Sequence, residues 1–396
     1  MSCLLTRMLP ALLLLAAGLA QATDFWLDLG FGLESQADRQ APLEEEVALQ
    51  QTASSRFNLE HSLGASSRLG VQYGLAQRWQ VQPGTGAVAT QSDASDSGGA
   101  AGMGAEYRWR DLPDTLYRTE ADDFALAQNL DRLQLQQFSS RGELTVGRQA
   151  ISFGLSQQFS PVDVIMPARI SAHERSYRPG VDAVRWRQAW GAVGEVDLGW
   201  VQGDDQALFA RGYQQVDRWT LEGTVLTINR TQYLAGVGAQ TAVGNWGIWQ
   251  ETAWLFGEED AGLRLTLGAD RQVLGDVYLV TEYHYNQPGS RRLDPAVAAG
   301  EFYQQGMVVP LGRHYVSVQA AVPPTPLTDV RAGALVNLGD GSALLTAGYQ
   351  YSLTNNSRLD AALGVPVAGS LGTGELPDQE FALYPLAAAV NWTGTW

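Results

Sequence analysis

Lysine is missing from this sequence: all 26 basic residues of the 396-residue chain are arginine, against 42 acidic residues, for a net charge of −16. Without lysine there is no Schiff-base, P-loop-lysine or lysine general-base chemistry. The acidic balance also excludes a basic nucleic-acid binder. Cysteine is reduced to Cys3 alone, which rules out a disulfide framework. After residue 22 no apolar run approaches the ~20 residues of a membrane-spanning helix. At 45% hydrophobic and 17% charged residues, the composition is not that of a disordered chain.

The N-terminus carries an export signal. Arg7 supplies a positive start, Ala11 to Leu19 an apolar stretch, and Ala20-Gln21-Ala22 a cleavage site, the three parts of a secretory leader. The expected layout is a signal peptide over 1–22 and one domain over 23–396.

Period-2 alternation recurs through that domain. Leu263, Leu265, Leu267 and Ala269 alternate with Arg264, Thr266, Gly268 and Asp270; Leu359, Ala361, Leu363 and Val365 alternate with Arg358, Asp360, Ala362 and Gly364. Segments of about ten residues with one apolar and one polar or glycine face are the transmembrane β-barrel pattern. A soluble sandwich alternates as well, but here aromatics gather at segment ends: Trp190, Trp200, Trp219, Trp246, Trp249, Trp254, Tyr283, Tyr285, Tyr349, Tyr351 and Trp392. Interfacial girdles require that placement, and connections alternate short and long. The fold class is therefore all-β, an antiparallel up-and-down transmembrane barrel of about 18 strands, 16 to 20 at the limits.

The spacing predicts strands at Asp24–Leu33, Ser54–Ser62, Ser67–Leu75, Asp131–Phe138, Glu143–Phe153, Val181–Trp190 and Glu195–Gln202. Four more lie between Ala207 and Phe256, followed by Gly262–Arg271 and Asp276–Tyr285. The last five are His314–Ala321, Asp329–Asn337, Ala343–Ser352, Ser357–Val367 and Phe381–Trp392. Stretches 34–53, 81–103, 154–180 and 287–311 are outer loops, and Ala105–Glu120 is a hairpin or part of a loop. Tyr384, Leu386, Ala388, Val390, Trp392 and the terminal Trp396 share one parity. A last strand ending in an aromatic resembles the signal read by the barrel-assembly machinery of the Gram-negative outer membrane, with both termini periplasmic. Lipids and lipopolysaccharide would be its surroundings.

Catalytic constellations are weak. Of His61, His173, His284 and His314, only His284 has a partner on its own strand face, Glu282, at what reads as the outer rim. His61 and Ser62 face opposite sides. No His/Cys/Asp cluster has metal-ligand spacing, and no cofactor motif is present. The lumen face says more. Arg132, Arg185, Arg187, Arg218, Arg264, Arg331 and Arg358 read as inward, each flanked by apolar outward residues. Arg185 and Arg187 share their face with Glu195 and Asp197, so cross-strand pairing is expected. Such arginines either lower the barrier for anions or neutralise lumen acids; the sequence leaves both open.

The stretches Gly147-Arg148-Gln149-Ala150-Ile151-Ser152-Phe153-Gly154 and Phe159-Ser160-Pro161-Val162-Asp163-Val164, with Pro167, resemble the alginate-export-like outer-membrane barrels. A second match is Asn337-Leu338-Gly339-Asp340-Gly341-Ser342. The resemblance implies a single-chain, porin-like channel for anionic exopolysaccharide or small solutes. It also implies that the loop 154–180, with Asp163, Arg169, Arg175 and Arg178, forms a pore constriction. Arg148 breaks the parity of Leu144 and Val146, which suggests a bulge after Gly147. The expected function is passive conduction of polar or anionic solutes or of anionic oligo- or polysaccharide, without enzymatic chemistry. The alternatives are a structural or assembly partner with an occupied lumen and, behind it, a lipid-modifying barrel enzyme.

Overall fold

The computed structural model describes residues 23–37, 47–82, 105–119, 123–168, 170, 178–369 and 378–396; the expected leader lies outside them. The chain forms β1 (Thr23–Ala37), β2 (Val47–Ser62), β3 (Ser67–Gln82), β4 (Thr115–Arg118), β5 (Phe124–Ser139) and β6 (Gly142–Gln149). Next come β7 (Val181–Ala189), β8 (Gly194–Gln202), β9 (Gln206–Val216), β10 (Trp219–Ile228), β11 (Gln232–Val243) and β12 (Trp246–Phe256). The remainder are β13 (Ala261–Val273), β14 (Val277–Asn286), β15 (His314–Thr325), β16 (Thr328–Asn337), β17 (Ala343–Thr354), β18 (Ser357–Val367) and β19 (Leu386–Thr395). β4 is a four-residue piece on β5. The other 18 strands pair with their neighbours in antiparallel order, and β1 meets β19 over Asp28↔Thr395 to Ala37↔Leu386. This is a closed barrel, which removes the sheet edge that lipid would leave unsatisfied.

One face of each strand is an apolar exterior. Phe25, Phe31, Leu144, Val184, Leu198, Trp200, Leu208, Val225, Trp254 and Leu363 are exposed, while their neighbours of opposite parity line the lumen. Tight turns at 140–141, 217–218 and 355–356 share one end of the barrel with Thr23 and Trp396. The connections from β6 to β7, from β14 to β15 and from β18 to β19 depart from the other, the loop end.

Several expectations are corrected. β2 and β3 run well beyond the predicted 54–62 and 67–75, and β5 begins at Phe124 rather than Asp131. Ala105–Glu120 holds a 3-10 turn at Ala105–Tyr107 and the short β4. Segment 381–385 is not strand: Glu380–Leu383 forms a 3-10 turn that buries Phe381, and Pro385 precedes the true start of β19. No register shift follows Gly147; pairing runs one to one on both sides of β6. Gly147 instead takes φ +114°, where a Cβ would collide with the Leu133 carbonyl. Trp249 is not a girdle residue: it faces inward, 7% exposed, with its indole N–H on Glu282.

Candidate functional site: a loop anchored across the lumen

The chain leaves β6 at Gln149 and crosses the barrel interior before returning at Val181. Its hydrophobic side is Ile151, Phe153, Val162, Val164, Ile165 and Met166, all buried with wall residues Val181, Val201, Phe209, Leu226, Leu234 and Leu255. Phe153 meets Phe209 edge-on at 4.9 Å. This packing seats the near half of the loop on the wall from β7 to β12.

The far half is held by polar anchors. Glu251 of β12 accepts from the backbone N–H groups of Leu155 (2.8 Å) and Ser156 (3.0 Å) and from the Ser156 hydroxyl. Glu282 of β14 accepts from the N–H groups of Gln157 and Gln158, both at 2.7 Å, and from Trp249. Thr266 donates to the Phe159 carbonyl at 2.8 Å, and Arg264 to the Pro161 carbonyl at 3.2 Å. Four consecutive backbone donors thus end on two wall carboxylates. Charge-assisted bonds of this kind are short and about twice as strong as neutral ones. Gly154 makes the approach possible: at φ +101°, a Cβ would press on the Glu251 Oε1 from 2.6 Å.

Next to this anchor wall, from β6 to β10, runs a ladder of ion pairs, whose Glu222 stands in register with Glu251 across Gly238. Arg187 donates to Glu143 at 2.8 and 2.9 Å, and Arg185 to Asp197 at 2.6 and 2.9 Å. Arg211 donates to Glu222 at 2.7 and 2.8 Å. In register, Arg187, Asp197 and Arg211 follow one another across β7, β8 and β9. The expected pairing of this face is present, although Arg187 takes Glu143 rather than Glu195.

Other predicted residues fall elsewhere. Arg132 and Arg178 meet at the loop's root, where the Arg132 guanidinium donates to the Arg178 carbonyl (2.6 Å). Arg178 itself contacts Asp163 at 3.4 Å. Arg148 keeps the parity of outward Leu144 and Val146; it is buried by contacts to Asp111 (2.7 Å), Asp182 (2.9 Å) and the carbonyls of Leu130 and Arg110. It clamps the segment after Tyr107 onto the loop end. Arg218 is a correction: it sits exposed in the 217–218 turn, not in the lumen. Arg331 and Arg358 lie near the turn end with Asp329 and Asp360. Arg169 and Arg175 lie outside the described residues.

His284 is not at an open rim. It is 2% exposed, bound through Nδ1 to the Thr266 hydroxyl (2.8 Å), under Phe159. The Asn337–Ser342 turn pins segment 378–384: Asp340 accepts from the Glu380 N–H (2.8 Å), while Asn337 donates to the Glu380 carboxylate (2.9 Å). Among the described residues no group of three His, Cys, Asp or Glu side chains could hold a metal. Sequence reasoning missed Glu251 as an anchor and Arg211 as a ladder member. Both have inward parity, which was the available signal.

Asp163 is the titratable element of the loop. Burial raises its carboxyl to about 7, outweighing Arg178 and the Phe153 N–H, and Glu251 adds to the rise. Below that pH the group is neutral; above it the loop carries one more negative charge. The reversal potential of a current passing this loop is therefore expected to move toward cations as pH rises from 6 to 8, and Asp163→Asn to remove that dependence. Reversal potentials across this range check it. For stability, the fold keeps this proton while an unfolded Asp loses it near 3.8, so stability declines between those values and levels off above about 7.

The barrel has close structural counterparts. OccAB2 of Acinetobacter baumannii superposes with a TM-score of 0.59 at 10% identity, covering 94% of this chain and 98% of that one. OccAB1 of the same organism gives 0.57 at 9%, covering 94% and 96%. OccK11 (OpdR) of Pseudomonas aeruginosa gives 0.56 at 9%, covering 94% and 95%. At such identities the likeness is one of fold. No known family and no curated protein matches the sequence.

Proposed function

We propose that this barrel is a passive channel of a Gram-negative outer membrane, passing polar and anionic solutes through an eyelet bounded by loop residues 150–168. The observation that carries the reading is the loop itself, led across the lumen and tied to the far wall by Glu251 and Glu282. A barrel filled only for stability has no need to fix backbone there at the expense of two buried carboxylates. Beside the loop, on the wall leading to the Glu251 anchor, the Arg185–Asp197 and Arg211–Glu222 pairs form a polar surface along which a solute can exchange hydrogen bonds lost with its water. In this reading the leader over 1–22 is removed, the turn end faces the periplasm, and Trp396 serves recognition by the assembly machinery. Export of an anionic polysaccharide is the finer reading implied by the alginate-export-like motifs; the ladder's internal pairing, which leaves few unmatched cations, favours small solutes over it.

The mature chain, refolded into a planar bilayer under a salt gradient, is expected to give steady unitary currents with a reversal potential on the anion side. Block by oligouronides would move the assignment to polysaccharide. A well-folded barrel that carries no current would overturn the channel reading.

A further inference from the structure

Arg264 differs from every ladder arginine. It stands on β13 directly under the loop and is 2% exposed. Its hydrogen bond from Nη1 ends on a neutral carbonyl, Pro161 at 3.2 Å. Its Nε is buried without a partner, and no carboxylate of the described residues lies within ion-pair distance. A guanidinium does not shed its proton, and an unpaired buried charge is costly. Asp163 and Glu251 act on it only through space, beyond ion-pair reach, and a counter-ion from solution would neutralise it by direct contact.

Space for one exists. A cavity of about 190 Å³ lies between loop and wall, lined by Arg264, Arg211, Arg178, Asp163, Ser152 and Gln157 among others. Arg211 and Arg178 contact Glu222 and Asp163, so Arg264 is the cavity arginine without a direct ion pair among the described residues. We propose that this cavity is a binding site for a small monovalent anion, chloride or a short carboxylate, which resides between the constriction loop and the wall as the counter-ion of Arg264. An apolar cavity of ~150 Å³ admits benzene, so this one has room for a ligand of about six heavy atoms. The ion is part of the loop's mounting rather than a passenger; the inference stands whether or not the barrel conducts anions.

Thermal unfolding of the full detergent-solubilised barrel, at fixed ionic strength in sodium chloride, acetate or gluconate, tests it. The expected result is a midpoint higher by roughly 2–4 °C in chloride, acetate or both than in gluconate. Stabilisation by both assigns a general small-anion site, and by one alone its preferred ion. Arg264→Met is expected to unfold at one temperature in all three salts, while Arg141→Gln, which removes an exposed turn arginine, keeps the wild-type response. Should the methionine variant not fold, equilibrium dialysis of the wild-type barrel with labelled chloride and labelled acetate decides. About one ion retained per barrel, not displaced by gluconate, supports the site. Equal stabilisation by all three salts, an Arg264→Met variant that still responds, or no retained ion would overturn it.

Discussion

Replacing Glu251 and Glu282 together by alanine is expected to turn a steady unitary current into a larger and fluctuating one. The two carboxylates hold four consecutive backbone N–H groups, from Leu155 to Gln158, and the Ser156 hydroxyl. A hydrogen bond to a charged group contributes about 1.5–3 kcal/mol net. Lumen water would re-solvate the released donors, so the sum is well below five full bonds. A remaining loss of ~3 kcal/mol shifts the loop's bound-to-free ratio by about a hundredfold. The hydrophobic side, Ile151 to Met166, still holds the near half, so the loop swings rather than leaves. Single-channel recording reads both consequences, and unchanged conductance in the double variant would remove these carboxylates from the account.

Asp197→Ala is expected to destabilise the barrel by about 3 kcal/mol and to shift the reversal potential further toward anions. Asp197 is 1% exposed and takes both bonds from Arg185. It also stands in register between Arg187 and Arg211. Breaking a buried pair by removing one partner costs ~3–5 kcal/mol. The lower end applies because the Arg185 side chain keeps 14% of its surface in the lumen. Denaturant unfolding checks the first effect and salt-gradient recording the second. A loss under about 1 kcal/mol would mean that the ladder is solvated surface.

How legible the architecture was depends on what each residue faces. The predicted strand 357–367 is the observed one, because Arg358 and Asp360 point to water while Leu359, Ala361 and Leu363 point to lipid. The upper part of β2, 47–53, reads as loop in the sequence, and 76–80 of β3 carries no strand signal. There Gln51, Ala53 and Gln77 interrupt the outward apolar row between Leu49 and Trp79, so the pattern fades although hydrogen bonding continues. Phe381 misled in the opposite sense: an apolar residue before a strand looked like strand, but it caps the loop end. Within the site, the Arg185–Asp197 pair was legible because a hairpin register brings residues twelve apart together. Glu251 and Leu155 are 96 residues apart, and no local pattern encodes that meeting. Arg218 looked inward by parity alone; the φ of +56° at Asp217 turns the chain there.

The central claim, that loop residues 155–158 bound the conducting path, has a direct test in a chain whose only cysteine, Cys3, lies in the expected leader. Gln157, exposed between the two anchors, is replaced by cysteine, and a bulky thiol reagent is added during single-channel recording. A discrete, lasting drop in conductance is expected, one step per barrel, undone only by reductant. A fully modified Gln157→Cys barrel that conducts like the wild type would contradict it.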